Sequence, residues 1–165
     1  MKINAVDLFC GVGGLTYGIQ QAGINVVAGF DFEESCQFAY EKNNNAKFIH
    51  KNIKELSDDE LLSYYPEDTD VKILIGCAPC QPFSAYSHRY KDSESRKEKI
   101  DLLDYFGKQV QVVKPDIVSM ENVPQLVNED IFFFFFLLLR KEGYEVSWKI
   151  AFAPAFCILY FSIRL

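Results

Sequence analysis

Apolar and polar positions fall into blocks along the first two thirds of the chain, and the blocks change period. Short, nearly continuous apolar runs stand at Ile3–Phe9 (INAVDLF), Asn25–Phe30 (NVVAGF), Lys47–His50 (KFIH), Val71–Gly76 (VKILIG) and Asp116–Met120 (DIVSM). Runs this short, bounded by turn residues, are the signature of strands buried on both faces of a parallel sheet. Helical patterns separate them. LTYGIQQAG closes at Gly23, and ESCQFAYEKN (Glu34–Asn43) closes at a run of asparagines. SDDELLSYY opens on Ser57, a good N-cap followed by acidic first-turn residues. A polar loop then runs from the end of VKILIG to about Lys99, and Ile100–Val113 (IDLLDYFGKQVQVV) is an amphipathic helix stopped by Lys114-Pro115. The regular alternation of strands and helices predicts an α/β fold, doubly wound around a mostly parallel sheet.

The last third breaks the rhythm. NEDIFFFFFLLLRKEG predicts a helix that starts at Asn128 or Glu129 and ends at Gly143, with nine successive apolar residues inside it. A helix apolar all round should be fully buried. YEVSWKI then alternates like a strand, and Ala151–Leu165 has neither a clear period nor a polar face.

Composition narrows the function classes. The chain has 165 residues, enough for one domain with a real core, and a formal net charge of -6. Acidity of that kind argues against binding nucleic acid through overall charge. Contact with DNA would need a local patch or a basic partner, and SHRYKDSESRKEK (Ser87–Lys99) is the one dense basic cluster. Five cysteines at irregular spacing, with no cleavable apolar leader, predict thiols in a reducing cytoplasm. No apolar run reaches the length of a membrane span; Ile131–Leu139 is too short, and Ile150–Ile163 is short and carries Pro154.

Two stretches carry chemistry. In DLFCGVGGLTYG, glycines follow a strand and precede a helix, so a ligand can approach the backbone without meeting a Cβ. Asp31 ends the next strand, twenty residues after Gly11, where a carboxylate can accept from two ribose hydroxyls. Together these predict a nucleoside-containing cofactor. Thr16 stands where a full G-x-G-x-x-G would end, so an ordinary strand–helix turn and a nicotinamide dehydrogenase remain alternatives.

The second stretch is GCAPCQPFS, Gly76–Ser84. Its Cys77 and Cys80 have the C-x-x-C spacing of redox and zinc sites. A thioredoxin-like pair would start a helix and would lack Pro79 and Pro82. A zinc site would need about four ligands, with only His88 nearby. No metal site is therefore expected. A buried structural thiol is the remaining plain reading of Cys80.

Four ordered motifs resemble those of the C5-cytosine DNA methyltransferases. DLFCGVGGLTYGI is similar to their cofactor motif and GFDFEES to their ribose-binding strand end. GCAPCQPFS is similar to their nucleophile motif and KPDIVSMENVPQLV to their Glu-Asn-Val motif. The resemblance covers about Ile3 to Ile150 and implies a Rossmann-like, S-adenosylmethionine-dependent methyltransferase fold. It implies Cys80 as the nucleophile on cytosine C6 and Glu121 as the group that holds cytosine N3. Phe9, Gly11, Val12, Gly14, Pro79 and Leu102 would line the cofactor pocket, with Asp31 on the ribose and Phe32 along the adenine. Asn52-Ile53 matches the family's usual Asp-Ile beside the adenine, the Asn being a departure. Gln81, Ser84 and Asn122 would contact DNA, and Phe83 to about Lys97 resembles the loop that closes on it.

The same resemblance implies double-stranded DNA as partner and a restriction-modification setting. It leads us to expect a cofactor-binding catalytic domain over residues 1–150 that is incomplete, a divergent tail over 151–165, and no target-recognition domain. A Gln-x-Arg-x-Arg segment that places an arginine by the cytosine carbonyl is expected after YEVSWKI and does not appear. The chain alone would then methylate weakly or not at all. It could also be a non-catalytic remnant, or one subunit of a split enzyme whose second chain supplies the rest.

Overall fold

Five strands form where the short apolar runs stand: β1 (Ile3–Leu8), β2 (Asn25–Asp31), β3 (Lys47–His50), β4 (Val71–Gly76) and β5 (Ile117–Met120). All pair in parallel, in the order β3-β2-β1-β4-β5. The computed structural model describes residues 1–57, 59–79, 93–152 and 163–164, without the side chains of 93–101 and 163–164. The chain divides into two units, Met1–Ala78 with Lys108–Met120, and Pro79–Gly107 with Glu121–Leu165.

The first unit holds the sheet. β1 lies at its centre, and Ala5, Val6, Asp7 and Leu8 are all fully buried, as a strand covered on both faces requires. Leu8, Leu74 and Ile75 are equally inaccessible, and each contributes about 2 kcal/mol through apolar area removed from water. Leu8 pairs with Phe30 and with Gly76, and Gly76 pairs with Met120, so four strands finish level. The chain crosses from one side of β1 to the other between β3 and β4, which makes this carboxyl edge the topological switch point where such sheets take ligands. Helix α1 (Gly14–Gln21) packs Leu15 and Ile19 onto Ala5, Val26, Ile73 and Ile75. Helix α2 (Gln37–Asn43) follows a short 3-10 turn at Glu34–Cys36 and lies beside α1.

The Ser57 segment does not form the expected α-helix. Among the described residues of the segment, only a 3-10 turn, Leu62–Tyr64, appears before Pro66. A segment this short has too few hydrogen bonds to offset helix nucleation. Tertiary contacts hold it instead: Tyr65 donates from its hydroxyl to the Ile73 carbonyl at 2.8 Å, and the Tyr64 ring meets Phe30 edge-on at 5.0 Å.

In the second unit, helix α3 (Ser93–Val113) begins seven residues before the expected Ile100. Its SESRKEK turns lack apolar period but are rich in good helix formers, so propensity extends what the apolar stripe starts. Only the part of α3 through Gly107 belongs to this unit. Helix α4 (Asp130–Lys141) starts after Glu129 and is closed by Gly143 at φ 93°. It is not fully buried. Phe135 and Leu139, one turn apart, are the buried stripe, with Phe106 edge-on to Phe135 at 5.8 Å. Phe133 and Phe134 are 58% and 61% exposed. A helix this short presents one face to one neighbouring surface, whatever its composition. The expected strand at Tyr144–Ile150 is also absent. Among the described residues this segment pairs with no strand, and alternation without a partner makes no sheet. Trp148 rests instead against Phe132, ring centroids 5.9 Å apart. Beyond it Ala151–Phe152 pairs antiparallel with Ile163–Arg164.

Candidate cofactor site

The site is built where β1 gives way to α1. Cys10 donates its amide to the Phe30 carbonyl at 3.1 Å, which carries the β1–β2 pairing two residues past the strand. Gly13 N then bonds Cys10 O at 2.8 Å and closes the turn. Phe9 adopts φ 61°, a left-handed conformation that costs a non-glycine residue about 1–2 kcal/mol. The strain is located at the expected ligand-facing turn, as is common at binding sites.

The turn has an open and a packed side. A Cβ on Gly11 or Gly14 would meet nothing within 4 Å. A Cβ on Gly13 would lie 2.1 Å from Asn44 Nδ2 and 2.8 Å from Tyr40 Cδ2, so only glycine lets α2 come this close. Val12, 59% exposed, stands on the open side.

Asp31 ends β2 with its carboxylate already oriented. Gly11 N donates to Oδ2 at 2.8 Å and Glu33 N donates to Oδ1 at 2.9 Å. Each carboxylate oxygen has two lone pairs, so each keeps one for a further donor such as a ribose hydroxyl. The backbone of Asp31 is fixed as well, since its carbonyl accepts from Lys51 N at 2.9 Å. Phe32, next in the chain, presents an exposed ring, and its carbonyl is held by His50 Nε2 at 2.9 Å. Asn52 uses its side-chain oxygen to accept from Lys54 N at 3.0 Å, capping the Ile53–Glu55 turn. An aspartate could cap the same turn, which limits the consequence of the departure at this position. Ile53 is buried beneath that turn.

Behind the turn lies a polar cluster that pattern reading passed over. Asp7 is completely buried in β1, and Thr16 donates to its Oδ2 at 2.6 Å. Burial is the main reason its pKa rises to about 7, with the nearby Asp31 charge adding to it and the Thr16 bonds opposing it. Tyr40 OH lies 3.1 Å from Thr16 Oγ1. An aspartate in the middle of an apolar strand was the available signal, because such a group needs a buried partner. Cys10 is buried too, and burial pushes its thiol well above the ordinary range, as in an inert core cysteine.

In the second unit, Pro79, Leu102 and Glu121 are half-buried. Asn122 is only 2% exposed, and its Oδ1 accepts from Val123 N at 2.8 Å, so the side chain braces the turn that leads into Pro124–Asn128. Cys80, Gln81 and Ser84 lie outside the described residues. Cys77 is half-buried, and its amide bonds the Leu8 carbonyl at 3.3 Å, as a strand-end residue would.

Comparison with known proteins bears on this arrangement. A family model described as C-5 cytosine-specific DNA methylase matches residues 3–158. The type II methylase M.HgiDII of Herpetosiphon aurantiacus is 42% identical over 156 residues, which cover 93% of this chain and 43% of that protein. The type II methyltransferase M.Sau96I of Staphylococcus aureus is 31% identical over 150 residues, 89% of this chain and 34% of that protein. The crystal structure of the S. pombe Dnmt2 methyltransferase superposes with a TM-score of 0.75 at 20% identity, covering 99% of this chain and 48% of that one. That likeness establishes the Rossmann-like methyltransferase fold. The chain spans less than half the length of these relatives. No helix among the described residues is long and apolar enough to cross a membrane.

Proposed function

The chain belongs to the C-5 cytosine-specific DNA methylase family, and on that premise we propose that it is the cofactor-binding, nucleophile-bearing portion of a DNA cytosine-5 methyltransferase. The observation that carries the cofactor half is the Asp31 carboxylate, aimed by the amides of Gly11 and Glu33 beside an exposed Phe32. A pre-oriented carboxylate next to an aromatic face suits the ribose and base of an adenosine. The Phe9–Gly14 turn, with no Cβ obstructing Gly11 or Gly14, receives the rest of S-adenosylmethionine. That cofactor supplies an electrophilic methyl group. Asn52 and Ile53 shape the adenine side, and the resemblance to the family also assigns Pro79 and Leu102 to cofactor binding.

The chain's own chemistry then concerns the cytosine. Cytosine C5 is a weak nucleophile, and adding the Cys80 thiolate to C6 makes C5 enamine-like. Glu121, placed directly after β5, holds N3 and shares a proton with it as charge builds on the ring. The target atom is buried in a stacked duplex, so the base must be flipped out. Gln81, Ser84 and the turn braced by Asn122 serve the DNA side of that step. Residues 1–150 form the catalytic portion, and the partner is double-stranded DNA. DNA reading falls to further polypeptide corresponding to the remaining length of the relatives, in the same or a second chain. A restriction-modification role in the cytoplasm follows from the type II relatives and the thiol chemistry.

The nucleophile can be trapped. Incubated with S-adenosylmethionine and an oligonucleotide whose 5-fluorocytosine lies opposite a gap, the chain is expected to form a denaturation-resistant adduct. Cys80→Ser is expected to form none. The gap removes most of the unstacking cost, so the trap reads the nucleophile rather than DNA recognition. Equal adduct, or equal absence of adduct, in the two proteins would sink the assignment of Cys80.

A further inference from the structure

Tyr40 is the most enclosed large side chain near the candidate site, with no accessible surface. Three elements close on it. On one side its ring fills the space a Cβ of Gly13 would take, in the turn after β1. On the other it fills the space of a Cβ on Gly29, which would fall 2.3 Å from Tyr40 Oη and 2.5 Å from Cζ. Gly29 lies two residues before Asp31 on the same strand. The hydroxyl meets Thr16 Oγ1 of α1 at 3.1 Å. With Asp7 ionised, Thr16 gives its own proton to that carboxylate at 2.6 Å and Tyr40 is then the donor in this contact. One turn further along α2, Asn44 Nδ2 caps the Tyr40 carbonyl at 2.9 Å and also stands against Gly13.

We propose that Tyr40 is a positioning residue for the cofactor pocket, a wedge that sets the separation between the glycine turn and the Asp31 strand end. The bond from Gly11 N to Asp31 Oδ2 bridges those two segments, and its 2.8 Å length depends on their spacing. Neither segment can shift without displacing the ring that both enclose. The chain Tyr40–Thr16–Asp7 ties the wedge to α1 and β1, so its height above the sheet is set as well. This role rests on the reading of the turn and Asp31 as the cofactor site.

Tyr40→Phe keeps the ring and removes the hydroxyl, leaving Thr16 bonded to Asp7. Losing one buried hydrogen bond that aligns the pocket is expected to weaken S-adenosylhomocysteine binding about fivefold, read by equilibrium dialysis. Amide hydrogen exchange gives a readout independent of ligand. The Gly11 amide is expected to lose protection in Tyr40→Phe while the Val6 and Leu74 amides of the central strands keep theirs. Thr16→Val, which also removes the Asp7 bond, should show both effects at least as strongly, Thr16→Ser should restore both, and the double variant Thr16→Val with Tyr40→Phe should be little worse than Thr16→Val alone. Unaltered affinity and Gly11 protection in Tyr40→Phe would overturn the role, as would equal acceleration of Gly11, Val6 and Leu74. If the unaltered chain fails to bind S-adenosylhomocysteine, the cofactor reading falls and the positioning role falls with it. Binding that is intact in the unaltered chain, lost in Asp31→Ala and indifferent to Tyr40 would remove the positioning role alone.

Discussion

Gly29→Ala is expected to destabilise the chain by about 3 kcal/mol, the upper end for overpacking a filled core. The added methyl would sit 2.3, 2.5 and 2.7 Å from three atoms of the Tyr40 side chain. A flexible side chain could swing away, but Tyr40 is wholly enclosed, with Phe48 tilted against its ring at 5.6 Å. Relief would require α2 to lift from the sheet. The loss is a large share of the stability of an ordinary domain, about 5–15 kcal/mol. Urea unfolding followed by circular dichroism measures it. The pairing with Tyr40 is checked by repeating Gly29→Ala in a Tyr40→Ala background, where the hollow left by the ring should accommodate the methyl at under about 1 kcal/mol further cost. Equal cost in both backgrounds would show that the clash lies elsewhere.

Asp7→Asn is expected to change how stability depends on pH. In the folded chain Asp7 keeps its proton up to about pH 7, chiefly because burial penalises the charge. In the unfolded chain an aspartate releases its proton near pH 3.9. Between those values the folded state binds the extra proton, so stability falls as pH rises, and it levels off above about 7. Three pH units at 1.36 kcal/mol each make the loss about 4 kcal/mol. Asparagine has nearly the same shape and does not titrate. The variant should therefore match the original chain near pH 4 and exceed it by about 4 kcal/mol at pH 8, in the same urea experiment. The difference between the two proteins is the informative quantity, because the exposed carboxylates common to both cancel in it. A constant difference from pH 4 to pH 8 would mean that Asp7 ionises normally.

Both predictions concern residues that pattern reading left aside, and the reason is physical. Periodicity reports which positions face the core, so INAVDLF, NVVAGF and VKILIG gave their strands almost to the residue. Motif spacing reports what must meet a ligand, and it singles out Gly11 and Asp31, which a 2.8 Å bond joins. Neither reports which side chain fills the space behind a glycine. Tyr40 in QFAYEKN looks like any apolar helix position, and only the approach of α2 to Gly13 and Gly29 gives it a role. Helix α4 shows the opposite error. Its nine apolar residues overstated burial, because composition counts side chains and packing depends on the available neighbouring surface. YEVSWKI alternates like a strand, yet among the described residues it pairs with none, and alternation alone does not supply a partner.

The proposed function requires that the Phe9–Gly14 turn and Asp31 form an S-adenosylmethionine site. Isothermal titration of the chain with S-adenosylhomocysteine, run beside an identical titration with NAD, tests it most directly. Saturable one-to-one binding of S-adenosylhomocysteine is expected, weakened about 10- to 100-fold in Asp31→Ala by loss of hydrogen bonds to a charged group, with no binding of NAD. Saturable binding of NAD in its place, or affinity for S-adenosylhomocysteine that Asp31→Ala leaves unchanged, would contradict it.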